Sequence, residues 1–384
     1  MATSIRPMVA GEDWRPDPTT ARPGAVVLIV PGDLATRTGG YGYDREIVRG
    51  LMELGWRVDV VSLAPGFPFP DDAARAHAVQ ALAALPDDTI VLADGLAFGA
   101  LAEEARHEAA RLRFIALVHH PLALEHGLDD DARRALTHSE TAALAAARGV
   151  VVTSAATVAS LAPYAVPAER IAVVLPGTAH VPLARGTRGT TPAFADAPVE
   201  LLMVATLTPR KGHDILAEAL GRLPRHSWRL TCAGSTTMSP PTTAAFTTAM
   251  VRHGLADRVT LAGDLDESAL AAAYDRADVF VLPTRHEGYG MAVAEAVARG
   301  LPVVSTPTGA IPDLVDETSG VLVPVDDPAA LAAALHRLVG DDEWRGRLAA
   351  GARARRDALP RWPEAARQMA AALVRFAAHG IVQR

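Results

Sequence analysis

The segment ADVFVLPTRHEGYGMAVAEAVARGLPVVSTP (277–307) decides how the chain folds. It opens on VFVL, a short unbroken apolar run rich in β-branched and aromatic residues, and closes on a second such run, PVVS. Between them MAVAEAVARG is built from helix formers and ends on glycine. Strand, loop, helix and strand within about thirty residues make a βαβ unit. Strands apolar on both faces belong to a parallel sheet covered on both sides. The loop RHEGYG then lies at the carboxyl end of the first strand, where such sheets take their ligands.

The same grammar runs outward from this unit. VELLMVAT, RLTCAG and RVTLAG precede it and GVLVPV follows it. An earlier series, AVVLIVPG, RVDVVSL, TIVLADG, RFIALVHHP and GVVVTS, is interleaved with helical stretches such as YDREIVRGLMELG and AALAAAR. Between the two series lies PGTAHVPLARGTRGTTPAFADAP (176–198), rich in Pro, Gly and Thr and without periodicity. The expected organisation is a loose lead-in over 1–24, a Rossmann-like domain over 25–180, a linker over 181–198, and a second Rossmann-like domain over 199–384. The last of these is expected to close with the helix in PRWPEAARQMAAALVRFAAHG. The fold class is α/β, with two doubly wound parallel-sheet domains facing a central cleft, a common place for small-molecule sites.

Composition narrows the function. The 384 residues are 49% hydrophobic and 21% charged, with a net charge of -7, a globular profile that argues against a nucleic-acid partner. Residues 1–180 hold 15 Arg against 22 Asp and Glu, while the remainder is balanced at 22 of each sign. An anionic membrane surface therefore repels the first half more, and peripheral membrane contact is not indicated. No apolar run reaches the 18 or so residues of a transmembrane span, and the first 24 residues show no signal-peptide core. The cytoplasm is the expected location. The single cysteine, Cys232, allows no internal disulfide and sits in a strand.

Of 37 basic residues besides histidine, 36 are arginine, and Lys211 is the one lysine. It stands beside Arg210 in VATLTPRKGHDILAEAL (204–220), on a loop between strand and helix. Two cations beside a helix N-terminus suit a phosphate or diphosphate. A chain that writes arginine elsewhere used lysine here, a compact ammonium on a flexible stem. In RHEGYGMAVAEAVARG, Glu287 and Glu295 are eight positions apart, and Gly288 and Gly290 let the backbone approach a ligand. A helix starting near Met291 would carry Glu295 on the order of 10 Å from Glu287, which suits two ends of one extended polar ligand. Each carboxylate can accept hydrogen bonds from a pair of sugar hydroxyls.

EGYGMAVAE, with LPT before it and GLPVVSTPTGAIPDLV after it, resembles the retaining glycosyltransferases of family 4, the glycosyl transferases of group 1. VATLTPRKGHDILAEAL is similar to their diphosphate-binding segment, and GVLVPVDDPAALAAAL to the segment that follows. The likeness covers most of residues 199–340. The N-terminal half is similar more loosely, through GGYGYDREIVRGLMELGWRVDVVSL and ALVHHP. The resemblance implies the GT-B fold and a hexosyltransferase type of activity. A nucleoside-diphosphate sugar would be co-substrate, with no other cofactor and no metal. It implies that Arg210 and Lys211 hold the donor diphosphate, that Glu287 binds donor-sugar hydroxyls and that Glu295 binds the ribose. Gly288, Tyr289, Gly290 and Met291 would offer backbone contacts; Tyr289 stands where the family more often has Phe. In TRTGGYG, Gly39 and Gly40 are candidates to admit a phosphate or sugar near the backbone. Of the histidines after RFIALV, the resemblance favours His119 as a contact to the transferring sugar or the acceptor. The acidic pair in DLD (264–266) is expected to serve as a helix cap through Asp266 rather than to bind metal. The acceptor is left open as a glycan, a small molecule or a lipid carrier. A sugar phosphorylase and a non-catalytic sugar-nucleotide sensor are the alternatives on the same fold.

Overall fold

The computed structural model describes residues 24–125, 127–187, 197–224 and 227–378. The chain forms two compact units. One comprises the described residues up to Thr36, Gly40–Gly177 and those from Arg361 onward; the other comprises Arg37–Gly39 and Thr178–Pro360. The lead-in, apart from Gly24, and residues 188–196 of the linker fall outside the described residues.

The first unit is built on β1 (Ala25–Pro31), β2 (Arg57–Leu63), β3 (Ile90–Asp94), β4 (Arg113–Val118), β5 (Gly149–Val152) and β6 (Ile171–Val173). They lie in the order β2-β1-β3-β4-β5-β6, every pair parallel. Val26–Val30 of β1 are buried because helices cover both faces, which is why the strand reads as an unbroken apolar run. The helix Gly39–Glu53 buries Tyr43, Ile47, Val48 and Leu51, a stripe at helical spacing. The strand order reverses between β1 and β3, so the crevice of this sheet lies where those two strands end. β6 was not foreseen in the sequence. It is three residues long at the sheet edge, with Val173 40% exposed, and its apolar run IAVVL (171–175) breaks off at once in Pro176 and Gly177.

The terminal helix Trp362–Ala378 corrects an expectation. Its position in the chain predicts the C-terminal domain, yet it belongs to the first unit. Its stripe of Met369, Leu373 and Phe376 is fully buried. Gly149 of β5 makes the room, since a Cβ there would lie 2.2 Å from the Phe376 ring. Arg148 donates to the Ala377 carbonyl at 3.1 Å and Arg375 to the Ile171 carbonyl at 2.8 Å, tying the helix to β5 and β6.

The second unit contains β7 (Val199–Val204), β8 (Trp228–Ala233), β9 (Val259–Gly263), β10 (Val279–Leu282), β11 (Val303–Ser305) and β12 (Gly320–Leu322). Their order is β12-β11-β10-β7-β8-β9, again all parallel. This is a doubly wound order that reverses between β7 and β10, so the loops following those two strands flank its ligand crevice. The 277–307 segment forms β10, the helix Met291–Ala298 and β11, as its pattern indicates. Cys232 is 1% exposed, and burial pushes its thiol up to about 12, so it packs rather than reacts. Asp266 caps the helix Glu267–Arg276 by accepting from the Ala269 N–H at 2.8 Å. Among the described residues no helix is long and apolar enough to cross a membrane.

Candidate functional site

After β7 the chain makes one turn of 3-10 helix, Pro209–Lys211, before the helix His213–Leu220. Gly212 joins them at φ +72°, and a Cβ there would sit 1.9 Å from the Pro283 carbonyl oxygen. Only glycine lets the loop after β7 press against the end of β10 so closely. Further bonds fasten the two loops. The Arg285 N–H donates to the Arg210 carbonyl at 2.8 Å, and Arg210 Nη1 donates to the His286 carbonyl at 2.9 Å. The buried Thr284 hydroxyl lies 3.1 Å from the Arg210 carbonyl and 3.0 Å from that of His286. Arg285 also holds Asp214 at 2.7 Å and Asp326 at 2.6 Å. No sequence pattern announces this last clamp, because its members come from two loops and the first turn of a helix far apart in the chain.

The fastening brings Lys211 and Glu287 together across 76 positions, with Nζ donating to Oε1 at 2.5 Å. Arg210 Nη1 lies 4.0 Å from the other oxygen. The carboxylate side chain is 9% exposed, and Lys211 and Arg210 are 16% and 17% exposed. Burial pushes the Glu287 carboxyl up, but Lys211 and Arg210 outweigh it and hold the group below the ordinary glutamate range. The site is therefore two cations sharing one carboxylate, a local excess of positive charge at the crevice of the sheet.

Gly288, Tyr289 and Gly290 carry the backbone from Glu287 to the helix that begins at Met291. Tyr289 is 6% exposed, and its buried hydroxyl makes no hydrogen bond among the described residues. Gly309 lies beneath this turn at φ +56°, and a Cβ there would come within 1.8 Å of the Glu287 carbonyl oxygen. Gly309→Ala is accordingly expected to displace the Glu287 loop and to destabilise the protein by more than ~1 kcal/mol. A chemical melt of the variant checks it; an unchanged midpoint would show that the loop gives way freely. Glu295 is half-buried one turn into the helix. Burial raises its carboxyl, against the opposing effects of Arg299 and Tyr274. None of its contacts among the described residues is with Arg210, Lys211 or Glu287.

His119 and Gly40 belong to the first unit and meet at its crevice. Gly39 starts the helix Gly39–Glu53, and a Cβ on Gly40 would lie 3.3 Å from Cδ2 of the His119 ring. Tyr43 packs edge-on against that ring at 5.4 Å. Two residues the sequence analysis did not single out complete the cluster. Nε2 of His119 is 3.2 Å from Asp44 Oδ1 and 3.7 Å from Asp94 Oδ2. One ligand-type atom from each lies within 4.8 Å of the others, the only such group among the described residues. Asp94 stands at the carboxyl end of β3, the end at which such sheets take ligands, and also caps Gly95–Phe98 by accepting from the Leu96 N–H.

Residues 198–341 match the family described as "Glycosyl transferases group 1". A D-inositol 3-phosphate glycosyltransferase of Xylanimonas cellulosilytica is 35% identical over 216 residues, which is 54% of this chain and 51% of that protein. A putative colanic acid biosynthesis glycosyltransferase, WcaL, of Salmonella typhimurium is 32% identical over 242 residues, 59% of this chain and 57% of that one. The chain thus spans about half the length of the curated relatives it matches. Among solved structures, the sucrose-phosphate synthase of Thermosynechococcus elongatus superposes with a TM-score of 0.76 at 23% identity, covering 90% of this chain and 97% of that one. Anabaena Alr3699/HepE in complex with UDP-glucose superposes with a TM-score of 0.70 at 18% identity, covering 91% and 99%. At these identities the likeness is one of fold, and the fold is GT-B.

Proposed function

We propose, from the premise that residues 198–341 are those of a group 1 glycosyltransferase, that this chain moves a sugar from a nucleoside diphosphate to an acceptor hydroxyl with retention of anomeric configuration. The observation that carries the proposal is the Lys211–Glu287 contact of 2.5 Å, with Arg210 beside it, at the switch point of the second sheet. The bond between the anomeric carbon and the diphosphate oxygen breaks, so negative charge grows on the leaving group. Lys211 and Arg210 stabilise that charge from positions set before the donor arrives. Glu287 accepts hydrogen bonds from donor-sugar hydroxyls, and its share of Lys211 weakens as the diphosphate draws the ammonium. The N–H groups of Tyr289, Gly290 and Met291 line the start of the following helix and favour the same anion. Glu295 takes the ribose hydroxyls, which favour its ionised form against burial. The acceptor oxygen attacks from the face the diphosphate leaves, and its proton passes to a leaving phosphate oxygen. Neither a metal nor a further cofactor enters these steps.

The acceptor is a hydroxyl of a glycan, a small molecule or a lipid carrier. The donor base is tested by melting the protein with UDP-, GDP- and ADP-sugars and assaying each for slow hydrolysis. A UDP-sugar is expected to raise the melting temperature and to be hydrolysed, in keeping with the UDP-glucose held by HepE. Stabilisation without hydrolysis or transfer would leave a sensor, and turnover that requires inorganic phosphate would leave a phosphorylase.

A further inference from the structure

Two nearly buried carboxylates converge on His119, and transfer as described above gives neither of them a task. Asp44 is 1% exposed and Asp94 is 2% exposed. His119 keeps 21% of its side chain exposed, yet its Nε2 is a buried atom. The exposed part of the side chain therefore lies away from Nε2. Nε2 lies 3.2 Å from Asp44 Oδ1, within ion-pair distance, in a place where little water would screen the charges. The ring is packed on two sides and its backbone is anchored. Gly40 lies against the Cδ2–Nε2 edge, Tyr43 closes one side, and the hydroxyls of Thr153 and Thr157 lie 3.5 Å from the His119 carbonyl. Asp94 is itself fixed by the Leu96 N–H at 2.7 Å.

We propose that Asp44 and Asp94 are positioning residues that hold a proton on Nε2 of His119 and keep the ring cationic, so that its exposed edge meets the ligand as a charged hydrogen-bond donor and not as a base. This rests on the proposed transfer, in which His119 contacts the transferring sugar or the acceptor, as the resemblance implies. The other titratable groups around the ring agree with it. Tyr41 and Tyr43 are held neutral, because burial and then the aspartates push both phenols up. His120, next in the chain, faces Glu125 at 3.2 Å. Burial pushes the His119 ring down, and Asp44 and Asp94 together push it further up, for a net rise. Burial and then the Asp44 charge raise Asp94 to about 7, while His119 opposes them. The protonated ring therefore persists above the ordinary histidine range. A cationic donor at this place suits an oxygen that gains negative charge during transfer, and a neutral base has no proton to accept when the leaving phosphate takes it.

The test reads the ring directly. Long-range proton–nitrogen NMR of the whole chain, with the His119 signals assigned by their loss in His119→Gln, gives the protonation of each nitrogen against pH. The wild type is expected to carry protons on both nitrogens at pH 7 and to titrate above 6.5, the free-histidine value. Asp44→Asn is expected to lower that midpoint by a unit or more, and Asp94→Asn to move it the same way. Transfer by Asp44→Asn is expected to stay near wild type at pH 6 and to fall about tenfold at pH 8, with the donor KM unchanged. A neutral ring at pH 7 in the wild type, or a midpoint unmoved in both variants, overturns the proposal. So does a uniform loss of activity at every pH with no change in the titration. Shifts of the wild-type His119 signals on adding Zn²⁺ or Mg²⁺, absent in Asp44→Asn, would instead make the cluster a cation site and also overturn it. Absence of transfer from every donor tried would defeat the proposed function while leaving the ring titration to be read on its own.

Discussion

Lys211→Ala is expected to lower turnover at saturating donor by about 100-fold or more, the cost of removing one preorganised charge donor from a developing anion. The ammonium is held in place before the donor binds, 2.5 Å from Glu287, so no ordering is left for the reaction step. Lys211→Arg is expected to recover part of the rate only. A planar fork cannot place its charge where a single nitrogen sat, and Arg210 already occupies the neighbouring position. The variant should also lose donor affinity by calorimetry, because the proposed site binds the diphosphate through the same nitrogen in the ground state. Initial rates of transfer or donor hydrolysis decide it. Near-normal turnover in Lys211→Ala would remove the diphosphate assignment and the proposed function with it.

Glu287→Gln is expected to act on both rate and stability. Each hydrogen bond from a sugar hydroxyl to a carboxylate contributes about 1.5–3 kcal/mol, so weakening two of them lowers kcat/KM on the order of 100-fold. The same substitution leaves two cations without their shared anion. Removing one partner of a buried pair costs about 3–5 kcal/mol, and the partial exposure of Lys211 and Arg210, at 16% and 17%, puts this case at or below the lower end. The pH dependence has a definite sign. The carboxyl is held below its unfolded value, so its contribution is fully present above the ordinary glutamate range and is lost as pH falls through the lower folded value. Melting temperature followed from pH 7 downward should therefore drop more steeply for the wild type than for Glu287→Gln, and the two curves should converge in acid. Parallel curves would show that the pair contributes nothing to the folded state. A bound diphosphate competes with Glu287 for Lys211, so the donor should stabilise the variant relatively more than its weakened sugar contacts suggest.

These effects are opposite in their dependence on ligand, and that gives the site a simple logic. Without donor, Glu287 neutralises the cations that would otherwise repel one another in a half-buried loop. In the proposed transfer, the diphosphate takes over that neutralisation and frees the carboxylate to hold hydroxyls. Arg285 fastens the two loops by bonds that do not involve Glu287. It ties the two loops through the Pro209 carbonyl at 2.6 Å and through Asp214 and Asp326, independent of the charge state of Glu287.

What the chain determined by its sequence alone was local. Unbroken apolar runs mark strands buried on both faces, and the alternation of such runs with helix formers requires parallel sheets, because each crossover needs a helix to return the chain. Loops then fall at the carboxyl ends of strands, and a lone lysine or a Glu-x7-Glu spacing in those loops is readable at once. Even β10, the loop of Glu287 and the helix from Met291 follow from one stretch of letters. Tertiary structure alone decided which loops meet. The Lys211–Glu287 pair depends on β7 and β10 being neighbours, and Gly212 and Gly309 matter only because of backbones they press against from far along the chain. Asp44, Asp94 and His119 come together from a helix and two strand ends, so no spacing in the sequence announces them. The terminal helix shows the same limit, since an amphipathic stripe states that it must be covered but not by which sheet. The physical reason is common to all of these. Periodicity and propensity act over a few residues, whereas burial and charge pairing are settled between segments that only packing brings within a few ångströms.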